Sequence, residues 1–307
     1  MQLHITHDTR YDYAAQVELA QHIACLRPLH GPTQTLVWHQ LSILPQPVQV
    51  QDALDVFGNT RSFFAFQAPH QSLLISATSL VNTRSPLQAH SDVVWTQVSE
   101  QLSYRTGQPY EPASAFVFDS PLVRAHADLR AYAAISFTPG RPLLEASGEL
   151  MDRIHEDFSY ESHSTQVDTP LLQAFAQRRG VCQDFAHIMI ACLRSLGLAA
   201  RYVSGYLLTQ PPPGQPRLIG SDASHAWVSV YLPDVSADQR WCDFDPTNNR
   251  WGVGSPGEDY VTLGVGRDFS DVSPLRGVIH GGSQHSLSVA VTVQPFEEAQ
   301  PGLFATV

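Results

Sequence analysis

The sequence predicts an α+β protein, rich in strands at both ends and helical in the middle. Residues 1 to about 110 hold short apolar or alternating runs separated by turn residues, the pattern of antiparallel strands. From about 113 to 200 apolar side chains recur at helical steps, and after residue 199 the alternation returns. A parallel sheet would need a helix between successive strands, and the first region shows none.

Taken in order, Leu3–Thr6, Leu36–Ile43, Ser62–Phe66 and Leu73–Ala77 read as strands. His30-Gly31-Pro32, Pro45-Gln46-Pro47 and Phe57-Gly58-Asn59-Thr60 mark the turns between them. An N-terminal antiparallel β-sandwich over residues 1–112 is the expectation. Pro121–Ala134 and Pro142–Phe158 read as helices, the second through Leu143, Leu150, Ile154 and Phe158. A third is expected to open at Thr169-Pro170, with Thr169 as cap and Pro170 in the first turn, and to stop near Gly180. A fourth runs from Cys182 to Leu196 and ends at Gly197. Arg201–Leu208, Ala226–Tyr231 and Arg240–Phe244 follow as strands, so a core is expected over residues 113–262. Residues 263–307, with a strand at Leu287–Val293, are expected to return and pair with the preceding domains.

Composition excludes several classes of function. The 307 residues carry 18 basic and 29 acidic side chains, a formal charge of −11, which repels a phosphate backbone or an anionic bilayer. No basic cluster exceeds Arg178-Arg179, so neither nucleic acid nor membrane is an expected partner. No run approaches the roughly 18 consecutive apolar residues of a membrane span, and the first residues lack a basic leader followed by an apolar stretch. A cytoplasmic protein is the expectation. Of the four cysteines, Cys25, Cys182, Cys192 and Cys242, none forms a C-x-x-C pair, which argues against a zinc knuckle. Gly252–Gly257 fits G-x-G-x-x-G, but a strand-like Tyr260–Leu263 follows where a dinucleotide site needs a helix, so it reads as a loop. His155-Glu156 lacks the second histidine of a zincin motif.

Cys182 stands apart from the other cysteines. It opens a nearly all-apolar helix, where unpaired backbone N–H groups and the positive end of the helix dipole favour thiolate and can also hold an oxyanion. His225 opens an alternating strand in Ser224-His225-Ala226-Trp227, and Asp245 follows the next strand in Asp243-Phe244-Asp245-Pro246-Thr247. If those strands are neighbours, Asp245 orients one imidazole nitrogen and leaves the other for the thiol.

Four segments together resemble the bacterial transglutaminase-like family: Gly180-Val181-Cys182-Gln183-Asp184-Phe185-Ala186-His187, Arg201–Tyr206, Ser224–Trp227 and Phe244-Asp245-Pro246-Thr247-Asn248. Arg27-Pro28 and Asp55-Val56-Phe57-Gly58-Asn59 resemble the N-terminal domain that accompanies this core in bacteria, and Gly266–Pro274 resembles its tail segment. The resemblance implies a papain-like transglutaminase core with Cys182, His225 and Asp245 as catalytic triad. It also implies thiolate attack on an amide carbonyl, with no cofactor and no metal. A protein or peptide would be the amide donor. Either an amine or water would resolve the thioester, so transamidation and hydrolysis alone both stay open. A non-catalytic binding module on the same fold is the third reading.

Other residues carry weaker expectations. Tyr160, upstream of the cysteine, is the candidate second oxyanion donor, and Gln183 and Trp227 are cleft candidates. Cys25, Cys192 and Cys242 read as packing residues, His187 as structural, and Asp184 as a complement to the helix dipole. The proline-rich segment Thr209–Asp222 is expected to flank the cleft.

Overall fold

A computed structural model describes residues 1–88, 90–107, 109–162, 169–209 and 224–299. Strands β1 (Gln2–Ala24), β2 (Gln34–Leu44), β3 (Gln49–Leu54), β4 (Thr60–Phe66) and β5 (His70–Thr83) open the chain. Helices α1 (Trp95–Leu102), α2 (Ala127–Ala134) and α3 (Leu143–Asp157) follow, then β6 (Ser159–Tyr160), α4 (Leu171–Gln177), β7 (Arg179–Gly180) and α5 (Cys182–Ser195). Next come β8 (Ala200–Leu207), β9 (Ser224–Tyr231), β10 (Trp241–Asp245), β11 (Arg250–Val253), β12 (Tyr260–Gly266), α6 (Phe269–Val272), β13 (Leu275–Gly281) and β14 (His285–Pro295).

The N-terminal layers are one seven-stranded antiparallel sheet curled on itself. Its axis is β1, which is 23 residues long. Residues Leu3–Asp12 run between β5 and β14, whereas Ala20–Ala24 run between β4 and β13. The register breaks between Asp12 and Val17, where the strand passes from one layer to the other. Tyr13, Val17, Ala20 and Ala24 of β1 then share one core with Phe64, Phe66, Leu73 and Ile75. Further along, Leu3, Ile5, Val81, Val291 and Val293 pack on Tyr206, Leu208, Val261 and Leu263, which joins this sheet to the second one. The returning tail thus pairs through β13 and β14 with β1.

The second sheet is antiparallel with order β11-β10-β9-β8-β12. Helix α5 lies on one face, and Phe185 through Leu193 are all buried there among α2, α3, α4 and the sheet. The free edge of β12 is closed by two side-chain amides from the N-terminal region. Gln34 donates to Thr262 O (2.9 Å) and accepts from Thr262 N (2.7 Å). Asn59, fully buried, does the same with Val265 O and N at 2.8 Å each. An amide carries the donor and acceptor of a peptide group, so each residue substitutes for one rung of a missing strand. At the far end of α5, buried Arg194 donates to Phe116 O, Ala200 O and Arg267 O, and so ties the tail segment to the core.

Three local expectations are corrected. The helix at 121–134 begins only at Ala127, because the His126 side chain accepts from Asp128 N and sets the start. Pro170, not Thr169, occupies the N-cap of α4 and offers no side-chain cap, and the helix stops at Arg178, which takes a left-handed conformation (φ 53°) before Gly180. The Arg178 guanidinium lies over the rings of Tyr132, Phe158 and Phe175, and this packing holds a conformation that a non-glycine residue otherwise avoids. Asp245 is the last residue of β10 rather than the first after it. Helix α1 was not expected within the strand-rich region.

Candidate active site

Cys182 is the first residue of α5 and partly exposed, unlike the buried Cys25, Cys192 and Cys242. The helix start is set by Asp184, whose Oδ2 accepts from Val181 N at 2.9 Å. Gly180 is required beside it: a Cβ there would stand 2.6 Å from that oxygen. The parallel pairing of β6 with β7 puts Tyr160 opposite Gly180, two residues before the cysteine. Tyr160 is 53% exposed; burial, and then the neighbouring Cys182, raise its hydroxyl above the ordinary tyrosine range. Gln183 is partly exposed in the same first turn.

His225 lies on β9, next to β10 in the sheet. Its Nε2–H donates to Asp245 Oδ2 at 2.7 Å, which leaves Nδ1 for the Cys182 side chain within hydrogen-bonding reach. Burial works against the imidazolium, but the charge and hydrogen bond of Asp245, joined by Cys182, outweigh it and raise His225 to about 10. Asp245 is fully buried, which disfavours its charge, yet His225 and its other donors hold it below the usual carboxylate range.

Those other donors are numerous. Oδ1 accepts from Thr247 N (2.9 Å) and Asn248 N (3.3 Å). Oδ2 accepts from Tyr260 Oη and Asn248 Nδ2, both at 2.7 Å. His155, from α3, points Nδ1 at Pro246 O (3.2 Å) and Thr247 O (3.1 Å) and so pins the turn that supplies the two backbone donors. Sequence reasoning missed Tyr260 and His155. Tyr260 belongs to an ordinary alternating strand, and His155 drew notice only as half of a metal motif; neither carries a local signal of its partner. Asn248 stood inside a recognised segment and could have been named.

The remaining candidates are placed as follows. Trp227 is fully buried beneath His225 (ring centroids 6.1 Å apart) and edge-on to Tyr260, so it packs under the imidazole and does not line an open cleft. His187 is buried and accepts from Phe269 N at 3.2 Å, a structural contact to the tail segment. Gly252–Gly257 leads from β11 to β12 without a helix. The segment Thr209–Asp222 lies, Thr209 apart, outside the described residues. Among the described residues no helix is long and apolar enough to cross a membrane.

Comparison with known proteins finds relatives of the whole chain and of its parts. Residues 3–82 match the bacterial transglutaminase-like N-terminal region, and residues 130–246 match the transglutaminase-like superfamily. An uncharacterized protein of Mycobacterium tuberculosis is 40% identical over 294 residues, covering 95% of this chain and 92% of that protein. A protein-glutamine gamma-glutamyltransferase of Pseudomonas aeruginosa is 34% identical over 96 residues, 30% of this chain and 14% of that protein. A candidate cysteine protease of Cytophaga hutchinsonii shares the fold, with a TM-score of 0.73 at 20% identity over 96% of this chain and 91% of that one.

Proposed function

We propose, for a chain that belongs to the transglutaminase-like superfamily, a cysteine-nucleophile acyl-transfer reaction at amide carbonyls, with Cys182, His225 and Asp245 as its catalytic residues. The Cys182 sulfur, its proton already held on His225 Nδ1, attacks the carbonyl carbon. The tetrahedral oxyanion is held by the backbone N–H of Cys182, with the Tyr160 hydroxyl as second donor. His225 returns the proton to the departing nitrogen as the C–N bond breaks, and ammonia or an amine leaves a thioester on Cys182. A primary amine or water, deprotonated by His225, then attacks the thioester and frees the thiol. Asp245 keeps the imidazole in one orientation and stabilises its charged form.

The observation that carries this reading is the division of labour at His225: one nitrogen committed to a buried carboxylate, the other left to a cysteine at a helix start. The substrate class is a protein or peptide that presents a carboxamide or peptide bond. Transamidation and simple hydrolysis share every step up to the thioester, and the amine decides between them.

The test is incubation of the protein with a glutamine-bearing peptide, with and without a biotinylated primary amine, followed by mass spectrometry. Ammonia release that is lost in Cys182→Ala supports the proposal, and amine incorporation selects transamidation over hydrolysis. Turnover that survives in Cys182→Ala on any substrate refutes the assignment of the nucleophile.

A further inference from the structure

Strand alternation puts a second set of polar groups on the same face of the sheet as His225 and Asp245. Arg201 of β8 pairs with Ser229 of β9, and Ser229 pairs with Asp243 of β10, so the three form one cross-strand row. Val203 and Trp227 form the row before it, and Gly205 and His225 the row before that. At about 3.4 Å per residue the Arg201 row lies roughly 13 Å from His225, with the Trp227 indole between. The proposed acyl transfer uses none of these groups.

Arg201 and Asp243 both line a cavity of ≈ 340 Å³ between this sheet and the N-terminal region. His30, Phe57 and Gly58 form its other wall. The Arg201 guanidinium stacks on Trp241 with Cζ 4.1 Å from the ring centroid. Among the described residues it has no hydrogen-bond acceptor, and its Nε is buried without a partner. Asp243 is 4% exposed and accepts from Ser229 Oγ, with the Trp227 indole N–H as a second neighbouring donor. The two charges face one cavity, attract each other, and form no ion pair. Burial pushes Arg201 down to about 10 and Asp243 up to about 6, so at neutral pH these two residues face the cavity as one cation and one anion. A buried charge without a direct partner is costly unless something bridges to it. Leu29, Phe57, Val203, Trp241 and Val265 give the cavity an apolar wall, and the polar side chains of Gln34, Thr262 and the exposed Asp238 also line it.

We propose that this cavity is a binding site for a small zwitterion, an α-amino acid with an apolar side chain, its carboxylate on Arg201 and its ammonium on Asp243. The volume falls at the lower end of small-molecule sites, about 300–1,000 Å³. An α-amino acid carries both charges on one end, so it bridges two opposed residues while its side chain fills the apolar wall. A simple anion would satisfy Arg201 and be repelled by Asp243; a simple amine would do the reverse.

Calorimetric titration of the full chain with L-leucine, L-leucinamide and N-acetyl-L-leucine tests this. The expected result is saturable binding of leucine, at least tenfold weaker binding of each capped compound, and loss of binding in Arg201→Gln. Because Arg201 is half-buried in the sheet, a second variant guards against misfolding: His30→Trp, at an exposed position on the cavity wall, should keep the native circular dichroism and block leucine. No leucine binding at millimolar concentration overturns the proposal. So does equal binding of either capped compound, or undiminished binding in a folded His30→Trp.

Discussion

Asp245→Asn isolates the electrostatics on which the candidate site depends. Burial alone would push the His225 pKa below 6.5, yet it stands at about 10, because the Asp245 carboxylate lies 2.7 Å from Nε2 and Cys182 faces the other nitrogen. A rise of this size amounts to roughly 4–5 kcal/mol of preference for the charged ring, at about 1.4 kcal/mol per pH unit. His225 is only 9% exposed, so solvent screens little of it. Asparagine keeps the shape and removes the charge, so burial then dominates. The His225 midpoint should fall by about three units or more, which turns an imidazolium at pH 7 into a neutral ring. The sign in stability follows: a raised histidine stabilises fully below its unfolded value of 6.5 and loses that contribution as pH rises through about 10. The variant's deficit in melting temperature should therefore be large near neutrality and shrink above pH 10. NMR titration of the His225 ring resonances in both proteins measures the midpoint directly. A midpoint near 10 that persists in Asp245→Asn, or one near 6.5 in the natural chain, would refute the reasoning.

Three further outcomes are expected. Tyr260→Phe removes one donor from a buried carboxylate, which should cost about 1–3 kcal/mol in stability by urea denaturation and lower turnover while Asn248 still holds Asp245. Asn59→Ala leaves both Val265 backbone groups without their partner, and hydrogen exchange at β12 should accelerate while α5 stays protected. His7 and His187 are buried and neutral, pushed down to about 4 by burial, so each contributes stability above its unfolded value of 6.5 that is lost as pH falls toward 4. Unfolding free energy should drop by up to about 1.4 kcal/mol per pH unit for each over that window, and His187→Gln should flatten the slope.

The candidate triad was legible because its chemistry dictates local sequence: a cysteine at a helix start, a histidine opening a strand, and an aspartate before a turn-forming proline. The α+β order was legible because strand and helix periods differ. What remained hidden is long-range. Nothing local in Gln2–Ala24 says that one strand serves two layers, since the bend at Asp12–Val17 depends on which neighbours pair on either side. Gln34 and Asn59 look like turn residues until β12, more than 200 positions away, supplies their partners. Trp227 reads as a cleft residue from its distance to His225 in sequence, but alternation puts it under the imidazole and beneath the N-terminal layer. Thr169-Pro170 shows the limit of cap rules, because Pro170 presents the required extended backbone without any side-chain acceptor.

The central claim is that Cys182 and His225 form a working nucleophile–base pair. Iodoacetamide alkylation, followed cysteine by cysteine by mass spectrometry across pH in the natural chain and in His225→Ala, tests it most directly. Burial raises the other three thiols, Cys25 to about 11 and Cys192 and Cys242 well above the ordinary range, and shields them from reagent. The account predicts that Cys182 reacts first, already at neutral pH, and loses that advantage without His225. Alkylation of Cys182 at the rate of the buried thiols, or a rate unchanged in His225→Ala, would contradict it.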